Sequence, residues 1–178
     1  MNTQEIDRAL SQNPITAGCF RGVFAADKLP ILSDSLPSAY VANCSDSTSE
    51  GTHWIAFFQE KGAVVEIFDS YGQALSVYNP KLMDFVAGKQ TLQQTQQLQQ
   101  ELSTVCGQYA MFFIFKRASG MSYTQLIHLF TDNHRANDIM CCQYINQVFD
   151  LSKQVYDTSL LTHQITKQFS RGSVSLLE

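Results

Sequence analysis

Residues 104–116 read TVCGQYAMFFIFK, and the character of this segment sets the architecture that the sequence predicts. Its apolar residues fall on nearly every side of a helix, not along one stripe, and such a helix is buried at the centre of a domain. We therefore predict a central helix over Thr104–Lys116, with Cys106 in its first turn. The N-terminal end of a helix carries unpaired N–H groups and a positive partial charge, and both stabilise a thiolate there.

Segments that favour β-structure precede this helix and predict a small sheet. Two apolar runs separated by the turn residues Lys61-Gly62 form a β-hairpin. A Gln-rich run just before the helix is also typical of a disordered segment, but its Thr and Leu residues favour a strand that leads towards Cys106. The predicted strands are Ala39–Asn43, His53–Phe58, Ala63–Asp69 and Thr91–Gln100.

Amphipathic patterns predict four further helices. They are Thr3–Gln12, with Thr3 as N-cap, Pro80–Ala87, ended by Gly88, Tyr123–Phe130 and Ala136–Phe149. The stretch from Pro14 to Pro37 contains several breakers and predicts an irregular connection. Together these elements predict an α+β fold in which a small mixed sheet packs against the central helix. We assign residues 1–178 to a single domain, with a core over about 15–150 and a C-terminal extension over 151–178.

Composition limits the classes of function that this chain can have. The chain has 178 residues, of which 44% are hydrophobic, and this is enough to bury a core without disulfides. Its net charge of -4 gives no support for nucleic-acid binding, because domains that bind nucleic acid usually have a basic excess. The longest apolar run, Tyr109–Phe115, is too short to span a membrane. We expect a soluble monomer without a membrane partner.

The chain contains five cysteines, an odd number, and it is too large to be a disulfide scaffold. The segment Met1–Leu10 is polar and mixed in charge, so no secretory signal is predicted. We expect free thiols in a reducing, cytoplasmic compartment and no secretion. Cys141 and Cys142 lie in mid-helix beside Met140, where buried structural thiols are the better interpretation.

Cys106, His53 and Asp69 form a set suited to thiol catalysis. Cys106 lies at a helix start, and Gly107 leaves room for the close approach of a peptide carbonyl. His53 begins one strand of the predicted hairpin and Asp69 ends the other. A carboxylate at that end of the sheet accepts a hydrogen bond from one imidazole nitrogen and leaves the other nitrogen facing a thiol. Taken alone, His53 is also interpretable as a satisfied core group and Asp69 as a turn former.

Three segments, taken together, resemble the catalytic segments of the adenain family, the adenovirus-type maturation proteases. GTHWIAF, Gly51–Phe57, is similar to the family's His-Trp strand, and IFDSYG, Ile67–Gly72, is similar to its acid-bearing strand end. QQELSTVCG, Gln99–Gly107, is similar to its nucleophile segment. ADKLP, Ala26–Pro30, and Asn137-Asp138 resemble patterns in adenain-like proteases of virophages and Polinton (Maverick) elements. The family shares a clan with the SUMO and ubiquitin-like proteases.

The resemblance implies a papain-like cysteine protease fold in permuted order and assigns roles to individual residues. The nucleophile, the base and the orienting acid fall on Cys106, His53 and Asp69. The family's oxyanion Gln, seven residues before the Cys, falls on Gln99, whereas the SUMO-protease spacing of six selects Gln100. We prefer Gln99, because Ser103 then also falls on its family position.

The same resemblance places Trp54 and Gly107 at the substrate. Trp54 then lines a narrow cleft that admits only Gly at the P1 side. The alternative interpretation of Trp54 is a half-buried aromatic residue of the strand. The implied substrates are viral capsid and precursor proteins, cut at Gly-containing sites in the virion and the infected cell. We expect no required cofactor and no metal. Members of the family use DNA and a disulfide-linked viral peptide as activators, and the acidic composition of this chain gives a DNA activator no support.

Two other functions stay open on the sequence alone. One is a ubiquitin-like-protein isopeptidase that acts on SUMO, NEDD8 or ubiquitin conjugates, and the other is a catalytically inactive binding module. The compact length and the virophage-like segments favour a capsid-maturation protease over the isopeptidase. The intact set of Cys, His, Asp and Gln argues against an inactive module.

Overall fold

A five-stranded mixed sheet lies at the centre of the structure, a computed structural model that describes residues 1–33, 35–60 and 64–149. The strands are β1 (Phe20–Ala25), β2 (Ser38–Asn43), β3 (Trp54–Gln59), β4 (Val64–Phe68) and β5 (Gln90–Gln93). They lie side by side in chain order. β2, β3 and β4 form an antiparallel group, while β1 runs parallel to β2 and β5 runs parallel to β4.

Helices cover both faces of this sheet. They are α1 (Thr3–Gln12), α2 (Pro80–Phe85), α3 (Cys106–Ala118), α4 (Tyr123–Ile127) and α5 (His134–Phe149). α1, α3, α4 and α5 share one hydrophobic core with one face of the sheet. α2 and the 3₁₀ turn before it, Leu75–Val77, form a second core on the opposite face.

Strand β3 shows why its sequence is apolar at nearly every position. Ile55 and Phe57 belong to the core on the α2 side, whereas Ala56 and Phe58 belong to the core on the α3 side. All four side chains are buried. Because successive side chains of a strand point to opposite faces, a strand covered on both faces needs apolar residues throughout.

Helix α3 is the predicted central helix, and it begins at Cys106. Its buried side chains include Tyr109, Phe112 and Phe113. The ring of Phe113 stacks on the ring of Phe68 in β4, with 4.8 Å between ring centroids and 7° between the ring planes. The prediction of a small mixed sheet packed against a central helix is thus confirmed. The papain-like arrangement in permuted order stays a prediction.

The predicted irregular connection from Pro14 to Pro37 is wrong in part, because the chain forms the edge strand β1 within it. β1 pairs in parallel with β2, and the register of this pairing shifts between Phe20 and Val23. Gly22 lies at this shift with a φ of 133°. A glycine inside a strand weakens the sequence signal for that strand, so the element is missed by local pattern alone.

The N-terminal helix also differs from the prediction in two respects. Its N-cap is Asn2, not Thr3, since the Asn2 side chain accepts a hydrogen bond from the backbone N–H of Glu5 in a capping box. The core extends N-terminal of the predicted boundary near residue 15, because Ile6 and Leu10 are fully buried in it.

The strand predicted over Thr91–Gln100 is shorter than expected, since β5 ends at Gln93. Beyond it, the backbone N–H groups of Leu98 and Gln99 both donate to the carbonyl of Ser70, at 2.9 and 3.0 Å. These N–H groups therefore bond to the turn after β4 instead of extending the ladder. The segment before α3 leaves the edge of the sheet for this reason.

Two predicted features, the turn at Lys61-Gly62 and the C-terminal extension over 151–178, lie outside the described residues. The hairpin itself is confirmed, since β3 and β4 pair antiparallel. In the described ranges, no helix has both the length and the hydrophobicity needed to cross a membrane.

Gly72 provides a test of the turn that follows β4. Its φ is 66°, a conformation that residues with a side chain rarely adopt, and an added Cβ would lie 2.5 Å from the carbonyl oxygen of Gln96. Gly72→Ala should therefore lower the free energy of unfolding by about 2–4 kcal/mol, measured by urea unfolding.

Gly88→Ala is the matched control for this substitution. Gly88 has a φ of 74°, but no described heavy atom lies within 4 Å of an added Cβ. The free energy of unfolding of this variant should fall by only about 1 kcal/mol, from backbone strain alone. Equal losses in the two variants would contradict the close packing of Gly72 on the segment before α3.

Candidate active site

The end of the sheet where β3 begins and β4 ends carries the predicted catalytic pair. β3 and β4 pair antiparallel in a register that places Ala56 opposite Phe68. His53 immediately precedes β3 and Asp69 immediately follows β4, so both lie at this end. The structure brings them into contact, with Nε2 of His53 2.6 Å from Oδ1 of Asp69.

The carboxylate of Asp69 is fully buried and receives hydrogen bonds on both oxygens. Oδ1 accepts from the His53 ring and from the backbone N–H of Tyr71, the latter at 3.0 Å. Oδ2 accepts from the backbone N–H of Gln73 and from the hydroxyl of Tyr78, both at 2.9 Å. These donors offset the cost of burying a carboxylate. Asp69 thus combines the two interpretations that its sequence position allows, turn former and imidazole partner.

The imidazole of His53 is 5% exposed and lies between two tyrosine rings. Its centroid is 4.8 Å from the ring of Tyr71 and 5.5 Å from the ring of Tyr78. Because the carboxylate of Asp69 accepts, Nε2 carries the hydrogen of their bond, and Nδ1 is left for the thiol of Cys106. Nδ1 is buried and has no hydrogen-bond partner among the described residues, although the thiol of Cys106 is close enough to raise the pKa of the ring.

The protonation equilibria of His53 and Cys106 are shifted in opposite directions. Burial disfavours the imidazolium, but the hydrogen bond to Asp69 and the neighbouring Cys106 outweigh it and raise the pKa of His53 to about 9. Burial also opposes the thiolate, but the hydrogen bond and charge of His53 outweigh it and lower the pKa of Cys106. The backbone N–H groups of Trp54 and Gly107 lower the pKa of Cys106 further. The two shifts widen the pH range in which thiolate and imidazolium coexist.

Cys106 differs in this respect from the other cysteines, all of which are described and free. Burial raises the pKa of every other thiol, namely Cys19, Cys44, Cys141 and Cys142. The last two lie in the middle of α5, as predicted. Only at Cys106 do a helix N-terminus and an imidazole act on the sulfur together.

Gln99 contacts the turn that follows Asp69, and its side chain is fully buried. Nε2 donates to the carbonyl of Ser103 at 2.8 Å and to the hydroxyl of Tyr71 at 3.1 Å. Oε1 accepts from the hydroxyl of Ser70 at 2.7 Å. The neighbouring Gln100 is exposed, so the two side chains differ in environment although the segment is a loop and not a strand. The oxyanion role of Gln99 stays a prediction.

Trp54 and Gly107 are neighbours next to Cys106. A Cβ added to Gly107 would lie 3.4 Å from Cδ1 of Trp54 and 3.3 Å from atoms of both Met1 and Ile6. The missing side chain therefore makes room for α1 and for the tryptophan, and the role of Gly107 in substrate binding stays a prediction. Trp54 is half-buried, and a groove of about 580 Å³ lies beside it, lined by β1, the first residues of α1 and the loop before β3.

Two tyrosines for which the sequence predicts no role also belong to the site. Tyr71 and Tyr78 flank the imidazole, and each also donates a hydrogen bond to Asp69. A signal for Tyr71 is its position two residues after an Asp in a turn, where a backbone N–H commonly donates to the carboxylate. No sequence signal marks Tyr78, because its position depends on the 3₁₀ turn Leu75–Val77 that precedes it.

The arrangement supplies thiol and imidazole chemistry. In the described part of the chain, no group of three or more His, Cys, Asp or Glu side chains is placed to hold a metal ion. Nε2 of His53 is bound to Asp69, and the other side of the ring faces the thiol of Cys106. A thiol, an imidazole and a carboxylate are therefore assembled at one point.

No family model and no curated protein matches the chain. Two of the solved structures similar to it are a viral protease and a bacterial domain. The crystal structure of the ASFV pS273R protease is 24% identical, with a TM-score of 0.38, over 58% of this chain and 43% of that chain. The central domain of the uncharacterized Lpg1148 protein from Legionella pneumophila is 13% identical, with a TM-score of 0.42, over 83% of this chain and 98% of that chain. This chain thus spans less than half the length of the ASFV protease. Because both TM-scores are low, the function is argued from the geometry of the site and not from these likenesses.

The pKa shifts predict which thiol reacts first with an alkylating reagent. At about pH 6.5, iodoacetamide should modify Cys106 in preference to the other cysteines, because only the thiolate reacts. In His53→Ala the stabilising imidazolium is lost, so the pKa of Cys106 should rise and the pH profile of alkylation should move towards the ordinary thiol value of about 8.5. Mass-spectrometric mapping of labelled sites across a pH series measures both effects.

Asp69→Asn is the matched variant for the orienting group. It keeps the shape of the side chain but removes the negative charge, so it should shift the alkylation profile in the same direction by less than His53→Ala does. Cys106→Ala should abolish the labelling seen at low pH. Preferential labelling of Cys44 or Cys141 at low pH would contradict the assignment of Cys106.

Proposed function

We propose that this chain is a cysteine endopeptidase that cuts viral capsid and other precursor proteins at Gly-containing sites during virion maturation. The peptidase activity is supported by one observation. The thiol of Cys106, with its lowered pKa, lies at a helix N-terminus beside an imidazole that a buried carboxylate holds. The viral substrates are supported by the resemblance of the three catalytic segments to the adenain family.

The proposed reaction begins with the thiolate of Cys106. The sulfur attacks the carbonyl carbon of the scissile peptide, and the carbonyl oxygen gains a negative charge. Donors at the start of α3, including the backbone N–H of Cys106, stabilise this oxyanion. His53 gives its proton to the leaving amine as the C–N bond breaks, and a thioester remains. Neutral His53 then activates the water that hydrolyses the thioester.

Asp69 acts in this cycle as a positioning residue. Its bond to Nε2 of His53, at 2.6 Å, keeps the other ring nitrogen directed at the sulfur. The negative charge also stabilises the imidazolium that protonates the leaving amine. The flanking rings of Tyr71 and Tyr78 restrict the imidazole from both sides.

The surroundings of the sulfur favour a glycine at the P1 position. Cys106 is half-buried, and it interacts with the His53 side chain and with the backbone N–H of Trp54. A substrate residue without a side chain reaches such a sulfur with the least steric conflict. The groove beside Trp54 offers a path for further residues of an extended substrate.

A peptide-library assay with the 178-residue chain tests this function. We expect cleavage next to glycine, and Cys106→Ala should abolish it while circular dichroism remains unchanged. kcat/KM should rise with pH through the lowered pKa of Cys106, as the thiolate forms. It should fall near pH 9, as imidazolium loses the proton that the leaving amine needs.

The same assay separates the alternatives. Cleavage of SUMO, NEDD8 or ubiquitin conjugates without cleavage of free peptides would favour the isopeptidase. A protein whose Cys106 is readily alkylated but which hydrolyses neither class of substrate would be a binding module, and the proposed function would be wrong.

The two adjacent glutamines give a second test. Loss of one oxyanion-stabilising side chain typically costs about 10²–10³-fold in turnover, so Gln99→Ala should reduce kcat by that order. Gln100→Ala should be nearly neutral, because Gln100 is exposed. The reverse ranking in steady-state kinetics would indicate the SUMO-protease spacing.

A further inference from the structure

We propose that the hydroxyl of Tyr71, held by Gln99, is the side-chain donor that contacts the oxyanion, and that Gln99 acts through it. This inference rests on the proposed peptidase activity and deepens it. Gln99 then becomes a positioning residue, while Tyr71 becomes a catalytic residue.

The amide of Gln99 has no hydrogen left to give to a substrate. Both N–H groups of Nε2 are used, one at 2.8 Å to the carbonyl of Ser103 and one at 3.1 Å to the hydroxyl of Tyr71. Oε1 accepts from Ser70 at 2.7 Å, which fixes the orientation of the amide. The side chain is also 0% exposed, so a substrate oxygen reaches it only if one of these partners moves.

The hydroxyl of Tyr71 is in the opposite situation. It accepts from Gln99, and its own hydrogen has two distant acceptors, the carbonyls of Ser103 at 3.3 Å and Glu101 at 3.5 Å. Hydrogen bonds between a hydroxyl and an oxygen are usually about 2.7–2.8 Å long. The hydrogen is therefore available to a better acceptor, and the bond received from Gln99 polarises the hydroxyl and strengthens its donation.

Tyr71 is also placed at the reacting groups. Its ring lies 4.8 Å from the ring of His53, and its backbone N–H is bound to Asp69. The residue is half-buried, so it retains exposed surface that the Gln99 side chain lacks. Burial and the neighbouring Cys106 raise the pKa of Tyr71, which keeps the hydroxyl protonated where the enzyme works.

The step needs no additional reactant. As the bond between the sulfur and the carbonyl carbon forms, the π electrons of the carbonyl move to oxygen, and the Tyr71 hydroxyl donates a hydrogen bond to that oxygen without transferring its proton. When the C–N bond breaks, the carbonyl reforms, the amine takes its proton from His53, and the hydroxyl is unchanged.

Tyr71→Phe in the 178-residue chain tests the inference, because it removes only the hydroxyl. We expect kcat on a Gly-containing peptide to fall by about 10²-fold, with KM little changed. Affinity for a peptide aldehyde, whose adduct with Cys106 carries the same oxygen, should fall by a similar factor. Alkylation of Cys106 by iodoacetamide forms no oxyanion and should keep its rate and pH profile. A general structural defect would change alkylation as well.

Tyr78→Phe is the matched control at the same imidazole. Its hydroxyl donates to Asp69 and not towards the substrate, so this variant should shift the pH profile but keep its aldehyde affinity within about threefold. If Tyr71→Phe also keeps both kcat and aldehyde affinity within about threefold while Gln99→Ala does not, Gln99 donates directly and the inference is wrong.

A double-mutant cycle tests whether the two residues form one chain of hydrogen bonds. In the Gln99→Ala background, Tyr71→Phe should reduce kcat by less than about a further threefold, because the chain of hydrogen bonds is already broken. Full multiplication of the two losses would show independent roles and overturn the proposal. A wild-type chain that hydrolyses nothing would instead refute the proposed function, so the two failures are distinguishable.

Discussion

The hydrogen bond between His53 and Asp69 constrains the whole site, and it exists only because β3 and β4 pair in one register. A slip by one residue would turn every side chain of β3 to the other face of the sheet. Ala56 now faces α3, and Phe57 faces α2. Exchanging them would place the ring of Phe57 against α3, which now packs on the small side chain of Ala56. Packing against α3 therefore fixes the register that the contact between His53 and Asp69 requires.

Burial has opposite consequences for the different thiols of this chain. At Cys44 and Cys141 burial raises the pKa, and the nearby groups Asp69 and Cys106 at Cys44, and Cys142 and Asp138 at Cys141, raise it further. At Cys106 the same low-dielectric surroundings strengthen the attraction to the imidazolium of His53. Burying a thiolate and an imidazolium is costly unless the groups around them are also hydrogen-bonded. Here the Asp69 carboxylate, which binds the imidazolium, accepts hydrogen bonds from Tyr71, Gln73 and Tyr78. The turn after β4 thus affects the reactivity of the Cys106 sulfur, although Cys106 lies in a different element, at the start of α3.

What local sequence encodes was predictable, and what depends on distant partners was not. The all-round apolar character of α3 and the hairpin of β3 and β4 predicted the centre of the fold, and the strand ends brought His53 and Asp69 together. β1 was missed because its parallel pairing is non-local and Gly22 interrupts its pattern. The sequence also could not predict that the side-chain amide of Gln99 uses its hydrogen-bonding groups within the protein. Two of its partners, Tyr71 and Ser70, belong to a turn far away in the chain.

The Gln-rich segment between β5 and α3 illustrates how tertiary hydrogen bonds order a sequence of ambiguous propensity. The carbonyl of Leu98 accepts from the hydroxyl of Tyr109 in α3 and from the side chain of Asn137 in α5, both at 3.0 Å. The backbone N–H groups of Leu98 and Gln99 donate to Ser70. One residue of this loop is therefore tied to two helices and to the turn after β4, so its buried backbone groups are satisfied without a strand. Because that turn also carries Asp69, the segment that leads to Cys106 and the turn that binds His53 are fixed against each other, as the proposed catalysis requires.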